Sequence, residues 1–212
     1  MTSSTSSASS SETGWHDRDI DKPQALLKYN VHTPFQGLPL EKIKQIAKNI
    51  ALPVGLMLFN LTGDINVGMC IRTAAILGCS DVFIVGRRKY DRRSEVGAKN
   101  YITLHRYTEI GIEFFKENKL IPILLEQGGS TLESFSFKSY LPNKLEPGFK
   151  IVFIAGSEAD GLPKAMVAAL KAAGAPLLSI SQYGVMRSMN VSTAVSIILY
   201  EYTKQWAQSV VI

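Results

Sequence analysis

The chain is poor in the residues from which covalent and metal sites are built. Its 212 residues include two cysteines, Cys70 and Cys79, and three histidines, His16, His32 and His105. Two cysteines cannot make a disulfide framework, and their spacing is not that of metal ligands. They read as reduced, buried thiols of a protein from a reducing, cytoplasmic compartment. The histidines are scattered, so no metal site is expected. No apolar run approaches the ~20 residues that span a bilayer, which argues against a membrane helix. The N-terminal MTSSTSSASSSETG has no apolar core of a secretory signal. Neither a Walker A pattern nor G-x-G-x-x-G occurs, so the usual phosphate-cradling loops are missing.

What is present is an ordinary globular composition, 46% hydrophobic and 19% charged. The length suits one full-sized domain. Lys and Arg number 23 against 18 Asp and Glu, a net charge of +5. That excess is local. From Arg87 to Arg106 lie Arg87, Arg88, Lys89, Arg92, Arg93, Lys99 and Arg106, opposed by Asp91 and Glu95. A concentrated basic segment suits a phosphate-backbone partner, here RNA contacted through Arg87, Arg88, Lys89, Arg92 and Arg93. On charge alone a solvated loop fits equally well.

Residues 1–14 are a Ser/Thr-rich tail that cannot bury a core and reads as disordered. Residues 15–50 read as an arm with Pro23, Pro34 and Pro39 as breakers. A short helix is expected near Lys22–Tyr29 and a second over Leu40–Ile50. Residues 51–212 form the main domain. There, apolar strands alternate with helices. Strands are expected at Val54–Asn60, Asp81–Val85, Leu120–Leu125, Lys150–Ala155 and Leu177–Ile180. Helices are expected at Ile65–Leu77, Glu109–Asn118, Pro163–Ala173 and Asn190–Gln208. Strands that are apolar throughout indicate an α/β fold with a parallel sheet covered on both faces.

Ligands of such sheets sit at the carboxyl ends of strands. Three segments there carry unusual residues. Asn60–Gly68 leads into a helix bearing Arg72 amid Met69, Cys70, Ile71, Ala74 and Ala75. A charge in so apolar a helix needs a partner or an edge position. Asn66 in that segment reads equally as a helix cap. Ala155–Pro163 sets Glu158 between glycines, which fits a close backbone approach or a plain tight turn. Ile180–Asn190 is polar and ends at a helix start, where Asn190 suits an N-cap. Singly, each segment has a structural explanation.

Together, in order and spacing, they resemble the SpoU/TrmH family of the SPOUT class. Asn66, Arg72, Thr73 and Gly78 match its first motif, N-x5-R-T-x4-G. Gly156, Glu158, Gly161 and Leu162 match G-x-E-x-x-G-[LM]. Ile180, Gly184, Ser188, Asn190, Val191 and Ser192 match I-P-x-x-G-x3-S-L-N-V-S. Ser181 stands where the family has Pro, and Met189 where it has Leu. The resemblance implies a C-terminal deep trefoil knot, a topology that general chain-path rules disfavour, and a homodimer. It also implies S-adenosylmethionine-dependent methylation of an RNA ribose 2′-hydroxyl. The final segment is similar to members that methylate a D-loop guanosine of tRNA.

By matching positions, Leu125, Glu126, Gln127, Gly156, Ile180, Gln182 and Met189 would hold the cofactor. Arg72 would serve the hydroxyl, with Asn66, Glu158, Ser188 and Asn190 as supports. A guanidinium is hard to deprotonate, so electrostatic stabilisation is its expected role. Ribosomal RNA as substrate, or RNA binding without turnover, are the alternatives. A small-molecule substrate does not suit the basic segment.

Overall fold

The computed structural model describes residues 30–61, 63–86, 89–140 and 147–209. The tail and the Lys22–Tyr29 helix expected above lie outside them. The chain divides into two compact units, Met1–Gly37 and Leu38–Ile212. In the first, the described part is a short stretch with a 3-10 turn at Thr33–Phe35.

The larger unit is a six-stranded sheet of β1 (Leu52–Phe59), β2 (Cys79–Val85), β3 (Thr103–Tyr107), β4 (Leu120–Thr131), β5 (Lys150–Ala155) and β6 (Leu177–Ser179). Their order is β3-β2-β1-β5-β4-β6, and every pairing is parallel. The helices are α1 (Leu40–Ile50), α2 (Asp64–Ile76), α3 (Glu113–Glu117), α4 (Phe137–Tyr140), α5 (Lys164–Ala172) and α6 (Val191–Ser209).

Two cores flank the sheet because side chains alternate along each strand. Leu56 and Leu58 of β1, Val82 and Ile84 of β2 and Phe153 of β5 point to one face. They pack there with Ile71 of α2 and with Val195, Ile198 and Tyr202 of α6. Met57, Phe59, Phe83, Val85, Val152 and Ile154 point to the other, with Phe115 of α3 and Leu170 of α5. Burial on both faces is why these strands carry no polar alternation.

The sequence places β1, α2, β2, β5, α5, β6 and α6 within two residues of the observed ends, and α1 at both ends. The structure differs from these expectations at several elements, two of them for a visible physical reason. Strand β3 is a polar edge strand whose central His105 stacks on Phe83, so it has no apolar run to announce it. Strand β4 continues past Leu125 to Thr131, through two glycines, because its far half pairs with β6 after a register shift. Helix α3 starts at Glu113 rather than Glu109. The segment after β2 holds 3-10 turns at Arg92–Glu95 and Ala98–Asn100 rather than an open loop.

Candidate active site

The three singled-out segments meet at the carboxyl end of the sheet. Asn66 stands in the first turn of α2 but does not cap it; Gly63 occupies that position. Its side-chain amide instead donates to Glu158 Oε1 at 2.5 Å. Asn190 Nδ2 donates to Asn66 Oδ1 at 3.1 Å and to Glu158 Oε1 at 3.5 Å. The Val191 N–H also reaches Glu158 Oε1. Asn190 Oδ1 accepts from the Ser192 N–H at 2.9 Å and from its hydroxyl at 2.6 Å, so Asn190 caps α6 as well. One carboxylate therefore ties the starts of α2 and α6 to the loop after β5. The positive end of α6 favours a negative group there.

The loop carrying Glu158 owes its shape to two glycines. A Cβ on Gly156 would lie 2.2 Å from the Gly161 carbonyl, and Gly161 adopts φ +66°. The close approach is sealed by an antiparallel bridge between Ser157 and Gly161. Glu126 of β4 holds the loop from below, its Oε2 accepting the Leu162 N–H at 3.2 Å. At Cys70, burial first, and the Glu158 charge second, push the thiol up to about 12.

Beside this network is a cavity of about 780 Å³. Leu125, Glu126, Gln127, Gly156, Ile180, Gln182 and Met189, the expected cofactor residues, all line it, as do Glu158 and Ser188. The Gln127 amide donates to the Arg187 carbonyl at 2.7 Å, joining its two sides. Apolar walls from Leu125, Leu162 and Ile180 beside polar Glu126 and Gln182 suit a ligand with an aromatic base at one end and polar groups at the other.

The structure does not bring Arg72 to this network. Arg72 is exposed and is outside the cavity lining. Among the described residues it has no hydrogen bond or ion pair with Asn66, Glu158 or Asn190. Six residues of helix turn it about 120° from Asn66. It shares an outward stripe with Ile65, Met69 and Ile76, all exposed. Apolar neighbours in sequence therefore did not mean burial of the charge.

In the described part of the basic segment, the two acids sit against two of its cations. Arg87 and Arg88 lie outside the described residues. Lys89 and Arg92 are exposed. Arg93 is held by Asp91 at 2.6 Å, and Lys99 lies 3.5 Å from buried Glu95. The Tyr90 hydroxyl donates to Glu95 at 2.5 Å. Burial first, then Glu95, push that phenol up to about 12.

Sequence reading missed the contribution of α5 to the cavity, through Lys164, Val167, Ala168 and Lys171. Their i, i+3, i+4, i+7 spacing was the available signal. No group of three or more His, Cys, Asp or Glu able to hold a metal occurs among the described residues. No described helix is long and apolar enough to cross a membrane.

A parallel α/β sheet with an amide-bound carboxylate and a ligand cavity at the strand ends defines a class of fold and site. The sequence places the chain within that class: the SpoU rRNA Methylase family matches residues 53–200, and the chain belongs to it. It is 34% identical over 101 residues to a Mycoplasma genitalium protein assigned as a tRNA (cytidine(34)-2′-O)-methyltransferase. That match covers 48% of this chain and 55% of the relative, so it spans about half the relative's length. Similarity to the tRNA (guanosine(18)-2′-O)-methyltransferase of Borreliella burgdorferi is 29% over 169 residues, 76% of this chain and 72% of that protein. Among solved structures, the SpoU methyltransferase AviRb of Streptomyces viridochromogenes, in complex with AdoMet, shares the fold. The TM-score is 0.60 at 22% identity, covering 74% of this chain and 58% of AviRb.

Proposed function

We propose that this protein transfers the methyl group of S-adenosylmethionine to a ribose 2′-hydroxyl of tRNA, with a D-loop guanosine as the target. The observation that carries the reading is the hydrogen-bonded set Asn66–Glu158–Asn190 at the rim of a cavity lined by Gly156, Ile180 and Met189. Family membership and two relatives named for tRNA ribose methylation support it. The named positions differ, so cytidine 34 is the second reading, favoured by the 34% identity of the relative that bears that name.

When bound, S-adenosylmethionine supplies an electrophilic methyl on a sulfonium. The chain supplies alignment and charge. Leu125, Ile180 and Leu162 enclose the base end of the cavity, while Glu126, Gln127 and Gln182 offer polar contacts. Asn66 and Asn190 hold the Glu158 carboxylate in place. Arg72, a fixed cation, stabilises the alkoxide that develops as the hydroxyl loses its proton.

Arg72 reaches the reacting hydroxyl only once other molecules complete the site. A second copy of the chain covers the α2 stripe of Ile65, Met69, Arg72 and Ile76. The contiguous apolar exposure of that stripe supports a homodimer. The C-terminal half forms a deep trefoil knot. Two features support this path: β6 pairs at the edge beyond β4, yet the chain returns past the Glu158 loop to pack α6 on α2. The domain spans residues 51–212 and works in the cytoplasm.

The test is incubation of the protein with labelled S-adenosylmethionine and separate tRNA and rRNA pools, followed by mapping of the label. Label on a D-loop guanosine is the expected result. Label at cytidine 34 would move the reading to the second target. Label in rRNA, or none, would overturn it.

A further inference from the structure

In the basic segment Asp91 and Glu95 sit against two of the cations. A second group of cations lies at the cavity. Helix α5 turns Lys164 and Lys171 toward the cavity, and Arg187 approaches from the loop after β6. All three are exposed. Among the described residues their side chains have no ion pair and no hydrogen bond. What sets these three apart from other surface cations is that all of them line the one cavity beside the Glu158 network.

The acids of the same cavity do not answer these charges. Glu126 accepts the N–H groups of Gln127 and Leu162. Glu158 is held by Asn66, Asn190 and Val191. The Asp160 carboxylate faces the Ser157 hydroxyl at 3.5 Å. The carboxylates are taken up by amides, backbone N–H groups and a hydroxyl, and the cations are left exposed.

A second observation is independent of charge. Tyr183, four residues before Arg187, is 95% exposed. The loop that presents it is anchored by the Gln127–Arg187 bond. A presented ring on the loop that also carries a cavity-lining cation is the combination that grips single-stranded nucleic acid, by stacking a base and by contacting phosphates.

We propose that Lys164, Lys171 and Arg187, with Tyr183, form a clamp for the single-stranded nucleotides flanking the target ribose. The three cations take phosphates and Tyr183 takes a base. The inference rests on the RNA methyltransferase reading above and assigns that reaction its strand-holding surface.

The test is titration of the full-length protein with unmodified tRNA at several KCl concentrations, alongside calorimetric binding of S-adenosylmethionine. Single-strand contacts contribute roughly 0.7 to the log–log salt slope per phosphate, so Lys164→Gln/Lys171→Gln/Arg187→Gln should lower it by about two. Tyr183→Ala should weaken tRNA binding by about tenfold with an unchanged slope, and Tyr183→Phe should restore it. Lys164, Lys171 and Arg187 also line the cavity, so cofactor affinity is measured in parallel and should fall far less than tRNA affinity. Lys48→Gln, at the opposite end of the sheet, controls for general charge.

An unchanged slope in the triple variant, or an equal loss in Lys48→Gln, overturns the clamp. A fall in cofactor affinity as large as that in tRNA affinity assigns the cations to the cofactor and overturns it too. A change in sedimentation of the Tyr183→Ala variant assigns the ring to a subunit interface, with the same consequence. If wild-type protein neither binds nor methylates tRNA, the RNA reading itself fails, which the wild-type arm shows before any variant is compared.

Discussion

Two carboxylates anchor opposite ends of the same sheet, and their surroundings differ. At the amino end, Asp81 of β2 meets Lys150 of β5, the Ser80 hydroxyl at 2.5 Å and His105 of β3 at 2.8 Å. Beside it, Gly55 of β1 lets the strands approach closely: a Cβ there would lie 3.3 Å from the Asp81 carbonyl oxygen and the Phe83 ring. At the carboxyl end, Glu158 is bound by amides and a backbone N–H. It has no ion pair among the described residues. The Asp81 cluster carries its own cation, Lys150, and is complete within one chain. The Glu158 network holds a negative charge without a counter-charge, next to a cavity. A satisfied cluster stabilises the fold, whereas an unanswered charge beside a cavity is available for chemistry.

The comparison can be broken first at its catalytic side. Arg72→Ala should reduce methyl transfer by about 10²–10³-fold and leave S-adenosylmethionine affinity within about twofold. Loss of cofactor binding in that variant would remove Arg72 from the hydroxyl.

Next, Glu158→Ala should lower kcat and destabilise the protein by about 2 kcal/mol, since it leaves Asn66 and the α6 start unpaired. A melting temperature unchanged beside a lost kcat would show that the network holds substrate and not the fold.

At the other end, Asp81→Asn should leave kcat alone and lower stability at neutral pH. Burial pushes the Asp81 carboxyl up, but hydrogen bonds from Lys150, Ser80 and His105 outweigh it and hold it below the ordinary value. Its stabilisation is therefore present above the unfolded carboxylate's ~3.9 and is lost as pH falls through the folded value. The variant's acid unfolding curve should be flatter than the wild type's below about pH 4. Parallel curves would show that Asp81 does not contribute.

A smaller effect separates both networks from a true orphan. The Tyr202 hydroxyl is buried with no partner among the described residues. Tyr202→Phe should be neutral or stabilising by up to about 1 kcal/mol in thermal melts. A clear loss would reveal a partner such as an internal water. Smallest of all, Asp91→Ala should release Arg93 and steepen the salt dependence of tRNA binding by less than one phosphate equivalent. No change would place Arg93 away from the RNA.

Much of this was legible in the sequence where physics is local. The apolar runs of β1 and β5 could bury both faces only in a parallel sheet. Gly156 and Gly161 could be read as a close approach because no other residue tolerates it. Asn190 read as a helix cap and proved to be one. Strand β3 was not legible, because Thr103, His105 and Arg106 carry no apolar alternation and gain their place from β2. Lys164 and Lys171 were passed over because a lysine on an amphipathic helix ordinarily means solvent.

The sequence by itself determined the alternation of strand and helix, the two-faced core and the identity of the residues at the strand ends. It did so because hydrophobic periodicity, glycine conformation and capping act over a few neighbouring residues. Only the tertiary structure decided which of those residues act together. Asn66, Glu158 and Asn190 are separated by up to 124 positions, and the parallel crossovers bring them within one hydrogen bond of each other. The same structure turned Arg72 outward, because the phase of α2 gives its inward face to Val67, Cys70, Ile71 and Ala74. Which residues share an element is set along the chain, but which atoms meet is set by how the elements pack.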